Sequence, residues 1–125
     1  MNNKNNLLVE IEKEDNVIED KQEYASYLFC IKNIEEELGA ARLYINEKKK
    51  IAVLKSIFIK EKNRGQGIGS FILSQIEDFA HMQNITRISG NFSLFSSEEI
   101  IEKNIKFYEK NGYKINLGIF FMKNL

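Results

Sequence analysis

The residues best suited to chemistry lie in one run, Lys55-Ser-Ile-Phe-Ile-Lys-Glu-Lys-Asn-Arg-Gly-Gln-Gly-Ile-Gly-Ser70. A strand-like segment leads into a loop carrying Arg64, Gly65, Gly67 and Gly69, and a helical pattern begins at once. Glycines let a backbone turn tightly and bring its N–H groups to a ligand without interference from Cβ. A helix N-terminus adds unpaired N–H donors and the positive end of the helix dipole, which together suit a phosphate. Arg64 supplies a charge beside them. A P-loop would need Gly-Lys-Ser/Thr where Ile68-Gly69-Ser70 stands. The dinucleotide fingerprint G-x-G-x-x-G is absent, because Gly65, Gly67 and Gly69 are spaced G-x-G-x-G. The turn reads as an anion site of another kind, against the plainer alternative of a strand-to-helix turn with no ligand.

The other chemical groups are sparse. Tyr108 shares a helical face with Ile101 and Ile105, and taken alone it reads as a core tyrosine. His81 falls late in the helix after the glycine turn and reads as a surface or packing residue. Cys30 sits in an apolar strand and reads as a small core residue. As the single cysteine it forms no internal disulfide, and no cluster of metal-ligating residues is present. Glu35, Glu36, Glu37 and Glu61 read as solvated charges.

The elements that must position the turn follow from periodicity. Leu7, Val9 and Ile11 alternate with Leu8, Glu10 and Glu12, as in a half-buried strand. Residues 13–23 are mostly charged and predict one helical turn or a loop. Tyr24–Lys32, then Leu38–Ile45 and Ile51–Lys60 around a Lys48-Lys49-Lys50 turn, predict strands. Ile68, Phe71, Ile72, Ile76, Phe79 and Ala80 predict a helix over residues 67–83. A short strand over 86–92 follows. Ser96-Ser97-Glu98-Glu99 offers a capping box for a second helix, and Gly112 stands where its C-cap glycine belongs. Strands at Tyr113–Ile115 and Leu117–Lys123 close the chain. The fold class is α/β, with a mixed, mainly antiparallel sheet of about seven strands and two main helices.

At 125 residues the chain is expected to form one domain over 1–125. Eighteen basic residues balance eighteen acidic ones, so no global field favours nucleic acid or an anionic membrane. No apolar run approaches the ~20 residues of a membrane helix. The first residues lack the apolar core of a signal peptide, and a cytoplasmic setting is expected.

Two motifs in order then carry a resemblance. Arg64-Gly65-Gln66-Gly67-Ile68-Gly69 resembles the Q/R-x-x-G-x-G/A motif of the GNAT superfamily of acyl-CoA N-acyltransferases. Phe107-Tyr108-Glu109-Lys110-Asn111-Gly112-Tyr113, about forty residues on, is similar to that family's Y-x-x-x-G-F ending. The resemblance covers residues 38–123. It implies acetyl-CoA as acyl donor, an amine acceptor (small molecule or protein) and no metal. Backbone groups of Ile57, Phe58 and Ile59 would bond the pantetheine arm. Backbone N–H groups from Arg64, Gly65, Gln66, Gly67, Ile68, Gly69 and Ser70 would hold the pyrophosphate. Tyr108 would protonate the leaving thiolate. The family often has Asn where Ile101 stands, and Asn104 on the same helix is the candidate to replace that contact. Only residues 13–23 occupy the place of the family's one or two acceptor-side helices. Either a large acceptor such as a protein segment or a second subunit is expected to fill that side, with a homodimer favoured over a monomer. A non-catalytic acyl-CoA-binding module and a domain for another phosphorylated ligand are the competing functions.

Overall fold

The computed structural model describes residues 6–92 and 97–125. Along the chain run strands β1 (Leu8–Lys13), β2 (Val17–Glu19), β3 (Gln22–Lys32), β4 (Glu37–Asn46) and β5 (Ile51–Ile59). Helix α1 (Ile68–Met82), strand β6 (Arg87–Asn91), helix α2 (Glu98–Lys110) and strands β7 (Lys114–Asn116) and β8 (Phe120–Asn124) follow. Eight strands form one sheet in the order β1-β3-β4-β5-β6-β8-β7, with β2 also on β3. Every pairing is antiparallel except β5 with β6. The mixed α/β architecture is the one the periodicity predicts.

Residues 13–23 differ from the expected helical turn or loop. They build a hairpin in which Val17, Ile18 and Glu19 pair with Tyr24, Glu23 and Gln22. Its two-residue turn has positive φ at both Asp20 (50°) and Lys21 (63°). Such turns match the strand twist and are usually marked by Asn or Gly; Asp-Lys carries little of that signal. Leu117, expected in a strand, instead forms a turn with Gly118, at φ 57° and 66°. Among the capping-box residues, Ser96 lies outside the described residues, whereas Ser97 is the N-cap and accepts from Ile100 N at 3.3 Å.

Both helices cover the same sheet face. Phe79 of α1 meets Tyr27 and Phe29 of β3. On β8, Phe121 stacks on Tyr108 of α2 while Lys123, two residues on, bonds Glu77 of α1. Between them lies one core, whose largest enclosed side chains include Phe29, Leu43, Ile72, Ile76 and Ile88.

One irregularity positions the site. Arg42 pairs with Ser56 and Leu43 with Leu54, so Lys55 is an extra residue on β5. The bulge reverses the side-chain alternation that a regular strand would keep. Ala52 and Leu54 point into the core before it, and Ile57 and Ile59 pack against the core after it.

Candidate functional site

The site begins where β5 and β6 part. Their parallel pairing joins only Ile51, Ala52 and Val53 to Arg87, Ile88 and Ser89. Beyond Val53 the β6-side edge of β5 has no strand partner among the described residues. Its backbone groups are available to an extended ligand, as in strand addition.

The glycine turn lies at the end of that edge. Gly65 and Gly67 have φ of 79° and 78°, the left-handed region that other L-residues occupy only under strain. Gly67 is the N-cap of α1, without a side-chain cap and without an acidic residue in the first turn. The first helical hydrogen bond runs from Phe71 N to the Gly67 carbonyl. The N–H groups of Ile68, Gly69 and Ser70 precede it, so they have no acceptor within the helix. Helix α2 is finished differently, with Ser97 capping it and Glu98 and Glu99 in its first turn.

The far wall is α2. A Cβ on Gly69 would lie 3.1 Å from Phe107 Cε1, so glycine there permits the close approach of the two helices. Asn111 Nδ2 donates to Ser70 Oγ at 3.2 Å and to the Phe107 carbonyl at 2.8 Å. Between this wall, the turn and β5 is a cavity of about 830 Å³.

Of the expected donor-binding residues, Ile57, Phe58, Ile59, Arg64, Gly65, Gly67, Ile68, Gly69, Ser70 and Asn104 line the cavity. Gln66 does not. Arg64 Nε donates to the Ile59 carbonyl at 2.9 Å, and its guanidinium carbon lies 5.7 Å from the Phe58 ring centroid. The Ile59 carbonyl, expected to meet the ligand, thus already accepts a bond from the turn.

Sequence reasoning missed Asn63, Ile100, Lys103, Phe107 and Lys110, which also line the cavity. Asn63 is 8% exposed and its buried Nδ2 has no partner among the described residues. The α2 residues 100, 103, 104, 107 and 110 form a helical stripe beside the Ile101–Ile105–Tyr108 face. That stripe was legible as a spacing, though its polar composition marks it no differently from a solvated face.

Tyr108 is placed otherwise. It is 6% exposed, and its ring stacks on Phe121 with centroids 3.8 Å apart and planes 10° from parallel. Phe92, Phe107 and Tyr113 complete its surroundings. Burial pushes its hydroxyl well above the usual tyrosine range. Tyr108 does not line the cavity; its neighbour Phe107 does.

The opposite sheet face carries no helix among the described residues. Glu14 accepts there from Arg42 Nε at 2.8 Å, Arg42 Nη2 at 3.0 Å and Ser26 Oγ at 2.9 Å. Hydrogen bonds from Arg42, then Ser26, hold the Glu14 carboxyl below its usual range. Lys55 on the bulge bonds Glu19 at 2.8 Å. Cys30 is half-buried on this face, with Ala40 and Glu10 as its register partners, rather than in the core.

The family model for the acetyltransferase (GNAT) domain matches residues 24–115. No curated protein gives a significant match to the sequence. Among solved structures, a GNAT family acetyltransferase from Elizabethkingia anophelis with acetyl-CoA bound is 16% identical, with a TM-score of 0.74. That alignment covers 96% of this chain and 99% of that one. The PaiA N-acetyltransferase from Thermoplasma acidophilum, in complex with coenzyme A, is 18% identical at a TM-score of 0.67, covering 80% of this chain and 61% of that one. An acetyltransferase from Streptococcus agalactiae is 23% identical at 0.65, covering 80% and 67%. At such identities the structures establish likeness of fold, and the family model covers most of the chain. The chain belongs to the GNAT acetyltransferase family.

Proposed function

We propose that this chain is an N-acyltransferase that moves an acetyl group from acetyl-CoA to a primary amine. The observation that carries the reading is the cavity between the unpaired edge of β5, the glycine turn and α2. Its chemistry fits the donor at each end. Uncapped N–H groups at the start of α1 suit a pyrophosphate, and the unpaired strand edge suits an amide-bearing arm.

When bound, acetyl-CoA supplies a thioester carbonyl. The incoming amine nitrogen attacks that carbon, forming C–N as C–S breaks, and the leaving thiolate takes up a proton. A backbone N–H in the Phe58–Ile59 region polarises the carbonyl oxygen. The family resemblance assigns the proton on sulfur to the Tyr108 hydroxyl, which burial keeps protonated and which would have to reach the thiolate from outside the cavity lining. Glu14, occupied by Arg42 and Ser26 and held ionised, is no base for the amine. The amine attacks in its neutral form, and the proton that its nitrogen releases as the amide forms passes to water, from which Tyr108 regains the proton it gave to sulfur. The protein works in the cytoplasm, and a second subunit closes the sheet face that bears no helix.

One observation favours a second reading, a non-catalytic acyl-CoA-binding module: Tyr108 is enclosed by aromatic rings and stands outside the cavity lining. Thiol release from acetyl-CoA, with and without a panel of amines, separates the two. Amine-dependent release supports the enzyme. Tight binding with no release across the panel leaves the binding module.

A further inference from the structure

The cavity is lined by three cations, Arg64, Lys103 and Lys110, and by no carboxylate. The chain as a whole is neutral, with eighteen basic and eighteen acidic residues, so this imbalance is local. Four acidic residues of α2, Glu98, Glu99, Glu102 and Glu109, all lie outside the lining. Neither Lys103 nor Lys110 has a carboxylate partner among the described residues, whereas Lys32, Arg42, Lys55, Lys62 and Lys123 each do. An unbalanced positive wall is poised for an anionic ligand.

The two lysines stand at different levels of the cavity wall. They are seven residues apart on one helical stripe, or about 10 Å along the axis at 1.5 Å per residue. The Asn111–Ser70 bond sets the C-terminal end of α2 beside the first turn of α1. Lys110 therefore lies at the level of the glycine turn, and Lys103 lies two turns away from it. A pyrophosphate held by the turn would lie nearest Arg64 and Lys110 and would leave Lys103 for a further charge.

We infer that Lys103 reads a further phosphate on the donor, the 3′-phosphate of the adenosine, while Lys110 assists the pyrophosphate. The chain would thereby select free coenzyme A thioesters over pantetheine thioesters that lack this group, including those tethered to carrier proteins. This rests on the acyl-CoA reading above and adds a donor specificity to it.

Calorimetric titration with CoA, dephospho-CoA and 4′-phosphopantetheine tests the assignment on wild type, Lys103→Gln and Lys110→Gln. Both lysines are exposed, so the variants should keep the fold, which circular dichroism checks. Wild type should bind CoA roughly 3–10-fold more tightly than dephospho-CoA, as one exposed charge-assisted contact allows. The preference should shrink as salt rises. Lys103→Gln should erase that preference and leave dephospho-CoA binding unchanged. Lys110→Gln should weaken CoA and dephospho-CoA alike. Equal wild-type affinity for the two, or a preference that survives in Lys103→Gln, overturns the inference while the acyl-CoA reading stands. Absence of CoA binding by wild type overturns both.

Discussion

The Asn111 side-chain amide donates to the Ser70 hydroxyl at 3.2 Å, tying the end of α2 to the first turn of α1. The same nitrogen bonds the Phe107 carbonyl at 2.8 Å, and Lys123 Nζ bonds the Asn111 carbonyl at 3.0 Å. One residue thereby finishes α2, docks it on α1 and fastens both to β8. At ~1 kcal/mol net per hydrogen bond, Asn111→Ala should lower stability by about 1–2 kcal/mol. Denaturant unfolding checks this. CoA affinity should fall with it, because the cavity wall loses its anchor.

The glycine turn makes a separable prediction. Gly67 has φ 78° and opens α1, so Gly67→Val strains the backbone by ~1–3 kcal/mol and puts a side chain at the N–H cluster. CoA should raise the Tm of wild type, as any ligand selective for the folded state does. It should leave the Tm of Gly67→Val unchanged. A Cβ at Gly65 would meet no protein atom within 4 Å. Gly65→Ala therefore meets no protein atom, though its φ of 79° strains the backbone as at Gly67, and it too should reduce the shift. Equal shifts in all three proteins would remove the turn from the donor site.

Tyr108→Phe keeps the ring stacked on Phe121 and deletes only the hydroxyl. Among the described residues that hydroxyl makes no hydrogen bond, so stability should change little. If the hydroxyl protonates the thiolate, kcat should fall by ~10²-fold with CoA affinity preserved. An unchanged kcat in an assay limited by chemistry returns Tyr108 to a packing role.

Several of these residues were legible before the fold was known, and others were not. The Arg64–Ser70 turn announced itself because glycine spacing and an adjoining helix are local properties. The helix over 68–82 followed from its apolar stripe. The β5 bulge was invisible, because an extra residue is defined only against the partner strand. The hairpin at 17–24 escaped because Asp20 and Lys21 adopt left-handed conformations without glycine. Lys103 and Lys110 became site residues only when α2 was seen across from the turn. Tyr108 was found by its motif, and its aromatic enclosure depends on Phe92 and Phe121, which lie far away in sequence.

The Glu14–Arg42 pair gives a pH prediction. A carboxyl held below its usual pKa stabilises the fold above its unfolded value, about 4.3, and this is lost as pH falls through the lower folded value. Wild type should thus be more stable than Glu14→Gln at pH 7. The gap should narrow steadily below about pH 4 in urea titrations. A gap that does not change with pH would mean that the Arg42 bond adds no charge-dependent stability.

The helix-free sheet face bears on assembly. If a second subunit closes it, activity per chain should fall on dilution below the dimer dissociation constant, together with the mass seen in light scattering. A monomer with constant activity on small amines would show that the Val17–Glu19 hairpin and its Glu14 and Glu19 contacts suffice as a wall.

The central claim, acyl transfer from a donor in the β5–α2 cavity to an amine, is tested most directly by isotope transfer. Wild type and Gly67→Val would be incubated with acetyl-CoA labelled in the acetyl group and a panel of small amines, peptides and protein N-termini. Mass spectrometry would then look for the label in amide linkage. The account predicts label on at least one amine with wild type, free CoA in equal amount, and none above background with Gly67→Val. Label on no acceptor, from a wild-type protein that binds acetyl-CoA tightly, would contradict it.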